Sequence, residues 1–541
     1  MATPTVSVPL ISPRLHYRFY VPYESAKPLD TRLSSKIFFK RLRTSFLRKK
    51  NPLRTNQGES TEMDYIIEKE RRIPVVGDFD VLVVGGGPAG FGAAIGAAKS
   101  GAKVALVEMY GFLGGMLTAG YVYFVPWYEM RVCGGIVKEW NDRLVKLKGI
   151  TDAWSPLLDQ LQENGIWTGP PFAVTDMEIN KYVLQKMCTE AGVRLFLHTY
   201  FGDAIMDGEK IKGAFVHNKS GRVAIRAKMT IDATGDGDVI ASAGAPFDFT
   251  PADRKSESWV FCMGNVDIER YRAYLGIDPR LNKAIAEAEK AGDLHPETGR
   301  YVREWPESRI PTIERPTMTD EQIKKAGRKI SGLWVTWPSW HRKNEVYISS
   351  ADCQVDVTTG EGLTEGEIKT REMGWEVANF LIKYIPGFEN SYIQDSAPHL
   401  GIRESRRVIG EYVVQTEDIA VGRRFPDDIV KSTVWEHPED AFYLPYRCIV
   451  PKKIDNLFAS GRNVSLTHRA FNDHVSPRDE ATCMVLGQAA GIAAALCIEN
   501  NVTPRELDVH LLQKKLVSNG FSSSIIHADD APPLRAGELR P

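Results

Sequence analysis

The sequence predicts an α/β fold: a Rossmann-like body on a mostly parallel sheet, interrupted by an inserted mixed α+β domain. Three observations predict it. A strand, glycine turn, helix and second strand follow one another between Asp80 and Glu108. The same pattern of buried strands, glycines and a small-residue helix returns between residues 443 and 500. Between the two, from about residue 250 to 400, periodicity weakens and prolines and tryptophans accumulate.

The first unit reads DVLVVGGGPAGFGAAIGAAKSGAKVALVE. Asp80 to Val84 is a valine-rich run suited to a strand buried on both faces. Gly85, Gly87 and Gly90 fill the places of GxGxxG, for the tight turn, for close approach of a pyrophosphate and for helix–strand packing. A helix runs to about Ser100, where Gly101 ends it, and the strand Lys103 to Val107 delivers Glu108 where it can accept from a ribose. The glycine pattern alone is weak. The whole unit with its terminal acid points to a dinucleotide rather than to an ordinary βαβ crossover.

Composition bounds the remainder. A chain of 541 residues, 43% hydrophobic and 25% charged, is an ordinary globular protein large enough for two or three domains. The seven cysteines form no CxxC, which argues against iron–sulfur, zinc and disulfide frameworks, and no metal site is expected. A reducing compartment follows, the cytoplasm. The longest apolar run, Cys483 to Ile498, reads as a buried helix rather than a transmembrane span. Residues 1 to 55 carry twelve Lys or Arg and two acids. This basic stretch suits a surface extension, or a presequence leading to an organelle lumen. No nucleic-acid motif accompanies it. The expected organisation is an extension at 1–72, the first part of the nucleotide domain at 73–250, the insert at 251–400, the return at 401–505 and a tail at 506–541.

Further elements follow in order. YGFLGGMLTAG places Gly111, Gly114, Gly115 and Gly120 in ten residues after Glu108, implying close backbone approach to a ligand. Val174 to Ala191 predicts a helix, with Thr175 and Glu178 as a capping box and Gly192 as its stop. Strands are expected around Arg194–His198, Ala204–His217 and Arg222–Ile231, the last running into the polar loop Asp232 to Asp238. In the insert, LWVTWPSWH either lines a ring-stacking pocket or fills a sheet core. TTGEGLTEG follows a segment read as polar, VYISSADCQVDV, and so fails as a second nucleotide turn. Tyr443 to Val450 and Asn456 to Ser460 read as strands, and the helix from about Ala481 is dense in small residues.

The segments GGGPAGFGAAIGAAKSGAKVALVE, GGMLTAG, IDATGDGDVIASAGAPF, LGIRESRRVIGEY and DNLFASGRNVS…CMVLGQAAGIAAAL together resemble the FAD-dependent oxidoreductase family of the glutathione-reductase structural class. The branch that includes the flavin part of heterodisulfide reductase is the nearest likeness, over roughly Asp78 to Asn501. The resemblance implies FAD. Gly85, Gly87 and Gly90 would hold its pyrophosphate, Glu108 the adenosine ribose, and Gly114 and Gly115 the diphosphate and ribityl chain. Thr234, Gly235 and Asp236 would meet the adenine side, Gly461 and Arg462 the ribityl region, and Gly487, Gln488, Ala489 and Ala490 the isoalloxazine edge. Arg462 stands where relatives often have an acid, and the cysteine clusters of heterodisulfide reductase are missing.

The chemistry implied is hydride transfer from a small organic substrate to flavin N5, with electrons passed to oxygen, a quinone or a partner protein. A flavin reductase or hydroxylase fed by a separate donor, and a non-catalytic scaffold, are the alternatives. His474 and Arg478, then His468, are the candidates for proton uptake and oxyanion binding, because histidine titrates near neutrality and arginine pairs with oxyanions. Arg403 to Arg407 read as an ion network, and Tyr121 and Tyr123 as pocket or half-buried strand. A homo-oligomer is compatible with the sequence.

Overall fold

The computed structural model describes residues 66–126, 132–150, 172–249, 257–275, 281–296, 298, 334–336, 344–434, 437–473 and 476–526. The basic N-terminal cluster, Trp305, Trp337, Trp340 and His474 lie outside them. The body is a seven-stranded sheet. Its strands are β1 (Val75–Val84), β2 (Val104–Val107), β3 (Arg194–Phe196), β4 (Tyr200–Asp207), β5 (Lys210–Asn218) and β6 (Gly221–Asp232). The seventh arrives much later, at Leu457–Ala459. The order is β3-β2-β1-β6-β5-β4, with Leu457–Ala459 pairing the end of β6. β1, β2, β3, β6 and the late strand are parallel, and β4 and β5 form an antiparallel hairpin onto β6.

Register fixes what this sheet can do. Val84 pairs with both Val107 and Asp232, and Asp232 pairs with Ala459. Four strands therefore end in line, and the four loops that follow them leave by one edge. In open α/β sheets that edge is where ligands bind.

Two helices lie on one face: α1 (Pro88–Lys99) and, nearly four hundred residues on, the helix Glu480–Asn500. Both are buried almost all round, as expected where no polar stripe exists. The late helix is the one described helix long and apolar enough to cross a bilayer, and it is packed inside the protein. Between α1 and it, α2 (Gly135–Lys146) and α3 (Met177–Glu190) cover the same core. α3 corrects one expectation. Its N-cap is Asp176, whose carboxylate accepts from the amides of Glu178 and Ile179, so Thr175 and Glu178 form no capping box. Thr175 instead donates its hydroxyl to the Tyr123 carbonyl.

The middle segment builds a second, four-stranded sheet with its own aromatic core. Glu257–Gly264 is its central strand, flanked by Val346–Cys353 and Tyr392–Ser396, with the short strand Trp334–Thr336 at one edge. All its pairings are antiparallel. The segment read as polar, VYISSADC, is thus a strand, because Val346, Tyr347 and Ile348 are buried against its neighbour. The helix that follows, α4 (Gly360–Tyr384), lies across this antiparallel sheet, so TTGEGLTEG opens no parallel crossover. Trp259 fills the sheet's core: its Nε1 donates to the Ala397 carbonyl and Gly374 of α4 rests on its ring. The expected strand Tyr443–Val450 is shorter than its apolar content suggests. It spans His437–Pro445, and Tyr446–Ile449 then coils into a 3₁₀ turn because Pro445 cannot donate a ladder bond.

Candidate functional site

The four aligned strand ends present the residues that the sequence singles out. Gly85 follows Val84 at φ 100°, and its amide donates to the Val107 carbonyl. A β-carbon there would lie 2.3 Å from the Ala233 oxygen, so only glycine fits. One at Gly90 would lie 1.8 Å from the Gly85 oxygen, which lets α1 close on its own strand. Gly87 caps α1 without a side chain, and a β-carbon on it would have Gly115 Cα, 3.8 Å off, as its single near neighbour. The amides at the start of α1 therefore face open space across from Gly114 and Gly115, the ready-made anion site of a helix start. Gly114 is tied to this turn by donating to the Gly86 carbonyl.

Glu108 is buried at the end of β2. Its Oε2 accepts from the Gly86 amide at 2.7 Å and its Oε1 from the Tyr110 amide at 2.9 Å. Burial pushes its pKa up, and those amides pull it back. The carboxylate thus ties the glycine turn to the loop after β2.

After β6, Asp232 is fully buried and organises the next loop. It accepts from the Thr234 amide and hydroxyl at 3.0 and 2.7 Å and from the Ile240 amide at 2.9 Å. The Thr234 hydroxyl in turn accepts from the amides of Asp236 and Asp238. Gly235 sits at φ 79°, and a β-carbon on it would strike the Arg462 guanidinium. Arg462 pairs with Asp236 at 3.1 Å, joining the loop after β6 to the loop after the late strand. The residue that departs from the family pattern is thus held by an acid from another loop.

Polar atoms at that last loop are left over. Ser460 Oγ, Arg462 Nη1 and Asn463 Oδ1 are buried with no hydrogen-bond partner among the described residues. Native proteins satisfy the great majority of such atoms. Three within four residues, at the edge where the glycine turn and Glu108 also emerge, fit a polar ligand laid along the strand ends.

The late helix departs from expectation. It begins at Glu480, so Gly487 lies two turns inside it rather than at its free amide end. A β-carbon at Gly487 would be 1.9 Å from the Ala89 oxygen, and Gly491 meets Ala93 in the same way. Gly92 and Gly96 of α1 answer by meeting Met484 and Gln488. Gln488 Oε1 accepts from the Ile136 amide at 2.7 Å, and Ala489 and Ala490 are fully buried. Gly487, Gln488, Ala489 and Ala490 therefore serve helix–helix packing, which demands small residues as strictly as a flat ligand would. This contact brings the glycine turn and the late helix together, and Gly461 meets Ala89 beside it.

Beyond the late strand the chain meets the LGIRESRR segment. Arg407 is fully buried, paired with buried Glu404 and with Asp248 at 2.7 Å. His468 Nδ1 lies 2.7 Å from Glu404 Oε1. The Phe471 ring stands 5.9 Å from the Arg407 guanidinium and 5.3 Å from that of Arg478. The Arg403 amide donates to buried Glu257 at 2.7 Å, and Arg406 binds Asp238 at 3.0 Å. The predicted ion network exists and brings His468 and Arg478 together. Burial pushes the Arg478 pKa down to about 10, so it stays cationic at neutral pH. Glu480, next along, is buried, and burial with the neighbouring Asp479 raises its pKa well above the carboxylate range. Tyr121 and Tyr123 pack on Tyr347 at 5.5 and 5.0 Å in the aromatic core of the second sheet. Sequence reasoning missed His399, which lies beside the site, although it stands one residue ahead of the LGIRESRR motif. Among the described residues no group of His, Cys, Asp or Glu is placed to hold a metal.

Relatives share this frame. A thiamine thiazole synthase of Aeropyrum pernix is 26% identical over 192 residues, 34% of this chain and 63% of the relative. A digeranylgeranylglycerophospholipid reductase of Picrophilus torridus is 29% identical over 174 residues, 29% of this chain and 39% of the relative. The chain thus spans less than two thirds of either relative's length. Among solved structures, a geranylgeranyl bacteriochlorophyll reductase-like protein of Thermoplasma acidophilum matches with a TM-score of 0.42 at 17% identity, covering 81% of this chain and 82% of that one. The profile of FAD dependent oxidoreductases matches residues 80–516, most of the length, and the chain belongs to that family.

Proposed function

We propose that this chain is an FAD-dependent dehydrogenase or oxidase of a small organic molecule, passing electrons to oxygen, a quinone or a partner protein. The observation that carries the reading is the set of orphaned polar atoms, Ser460 Oγ, Arg462 Nη1 and Asn463 Oδ1, on the edge where the glycine turn and Glu108 emerge. The residues that would hold the FAD are Gly85, Gly87, Gly90 and Glu108 at the adenosine and pyrophosphate end, and Gly114, Gly115, Asp236, Gly461 and Arg462 along its length. Bound there, FAD supplies two-electron redox chemistry. Its branch within the family is inferred from the five motifs in order: the glutathione-reductase class that includes the flavin part of heterodisulfide reductase.

The chain's own residues would do the rest. Arg478, cationic and buried, binds an anionic or carbonyl oxygen more strongly than it would in water, because little solvent screens it. Glu404 beside Nδ1 holds a hydrogen on that nitrogen and leaves Nε2 of His468 as the basic one, the arrangement of a general base set by a carboxylate. Phe471, packed beside Arg478, keeps water from it. His468 takes up the proton that the substrate loses.

The test is optical. The purified protein should be yellow, and its flavin absorbance should bleach anaerobically when its substrate is added from a metabolite screen. A colourless protein that takes up no FAD on reconstitution would overturn the reading. Bleaching only with an added reductase would replace it by a reductase or hydroxylase.

A further inference from the structure

We propose that His399 is a cofactor-binding residue, whose Nε2 accepts a hydrogen bond from a sugar or ribityl hydroxyl of the FAD. The inference rests on the functional reading above and adds to it a residue from the middle segment. His399 lies just beyond the second sheet, yet it touches the nucleotide body at several points. Its amide donates to the Ala119 carbonyl at 3.1 Å, which seats it on the loop that carries Gly114 and Gly115. Its ring stands edge-on to Tyr110 at 5.9 Å, two residues past Glu108. It also feels the charges of Asp236 and Arg462, the pair joining the two remaining loops, and of Glu367 on α4.

The ring's hydrogen bonding fixes its chemistry. Nδ1 is 2.5 Å from the Leu400 carbonyl oxygen. A carbonyl only accepts, so Nδ1 carries the hydrogen and Nε2 presents a lone pair. Burial holds the ring's pKa below the usual histidine range, against the opposing pull of Asp236, so it stays neutral at pH 7. Nε2 has no hydrogen-bond partner among the described residues. A lone pair there repels phosphate oxygens, which at neutral pH only accept. It suits a hydroxyl, and a dinucleotide offers hydroxyls on its ribose and ribityl chain alone.

The test compares wild-type holoprotein with His399→Leu and His399→Gln, reading FAD release from the return of free flavin fluorescence. The leucine variant removes the acceptor and should raise the Kd for FAD about tenfold, the worth of one hydrogen bond. Glutamine keeps an amide oxygen and should recover most of that loss. His399→Met replaces the leucine variant if the latter does not fold. Wild-type affinity in the leucine or methionine variant would overturn the proposal, as would a glutamine variant no better than leucine, since the ring would then only fill space. A wild-type chain that binds no FAD would instead sink the functional reading.

Discussion

Gly487 and Ala89 stand so close that a β-carbon at 487 would lie 1.9 Å from the Ala89 carbonyl oxygen. The contact joins the first helix of the glycine turn to a helix that starts at residue 480. Backbone cannot yield as a side-chain tip can. Gly487→Ala should therefore push the two helices apart and cost about 1–3 kcal/mol of stability. Gly360→Ala, where a β-carbon meets nothing within 4 Å, should stay within about 0.5 kcal/mol. Denaturant melts of both variants check this.

Arg462 bridges two of the cofactor loops through Asp236. Arg462→Ala removes that bridge and one of the orphaned donors. The Kd for FAD should rise between about tenfold and a hundredfold, the range of a charged hydrogen bond. Fluorescence titration of the apoprotein reads it, and an unchanged Kd would remove Arg462 from the site.

Glu404 serves both Arg407 and His468, and two variants separate the roles. Glu404→Gln leaves the Arg407 charge buried beside a neutral partner, which should cost about 3–5 kcal/mol. His468→Gln keeps the Glu404–Arg407 pair, so stability should change little. Turnover should nonetheless fall by about 10²–10⁴ if the imidazole is the base. Thermal melts together with substrate-dependent flavin bleaching distinguish the two.

Buried His399 makes a prediction about acid. Its folded pKa lies below the usual 6.5, so the unfolded chain takes up this proton first on acidification. The stability it contributes is complete above about pH 6.5 and is lost as pH falls through the lower folded value. Asp236 and Glu367 raise that value, whereas burial and Arg462 lower it. The Tm of the wild type should thus drop more steeply below about pH 6.5 than that of His399→Gln. Parallel slopes would show that the ring is not held neutral.

The glycine turn, Glu108 and the loop after Ile231 were legible because strand period and turn chemistry are local. What was not legible was long-range. Gly487 to Ala490 carry the same small-residue signature whether they face a flavin or another helix, and only the partner, α1, decides between them. VYISSADC looked polar because the rule counts residue types, yet its buried residues are set by the neighbouring antiparallel strand. Asp176 displaced Thr175 as the cap of α3 because Thr175 spends its hydroxyl on Tyr123, a contact across fifty-two positions. His399 stayed hidden for the same reason: its partners are Ala119, Tyr110 and Asp236, none near it in the chain.

The pairing of Leu457–Ala459 with the end of β6 has a consequence for synthesis. A nascent polypeptide still missing its last hundred residues has the glycine turn and Glu108 but lacks the strand and helix that close over them. The parallel sheet must wait for the C-terminal portion to leave the ribosome, and such late, non-local pairing is slow. Prosthetic-group loading is thereby a post-release event, and fragments truncated before Leu457 should emerge as flavin-free, chaperone-dependent species.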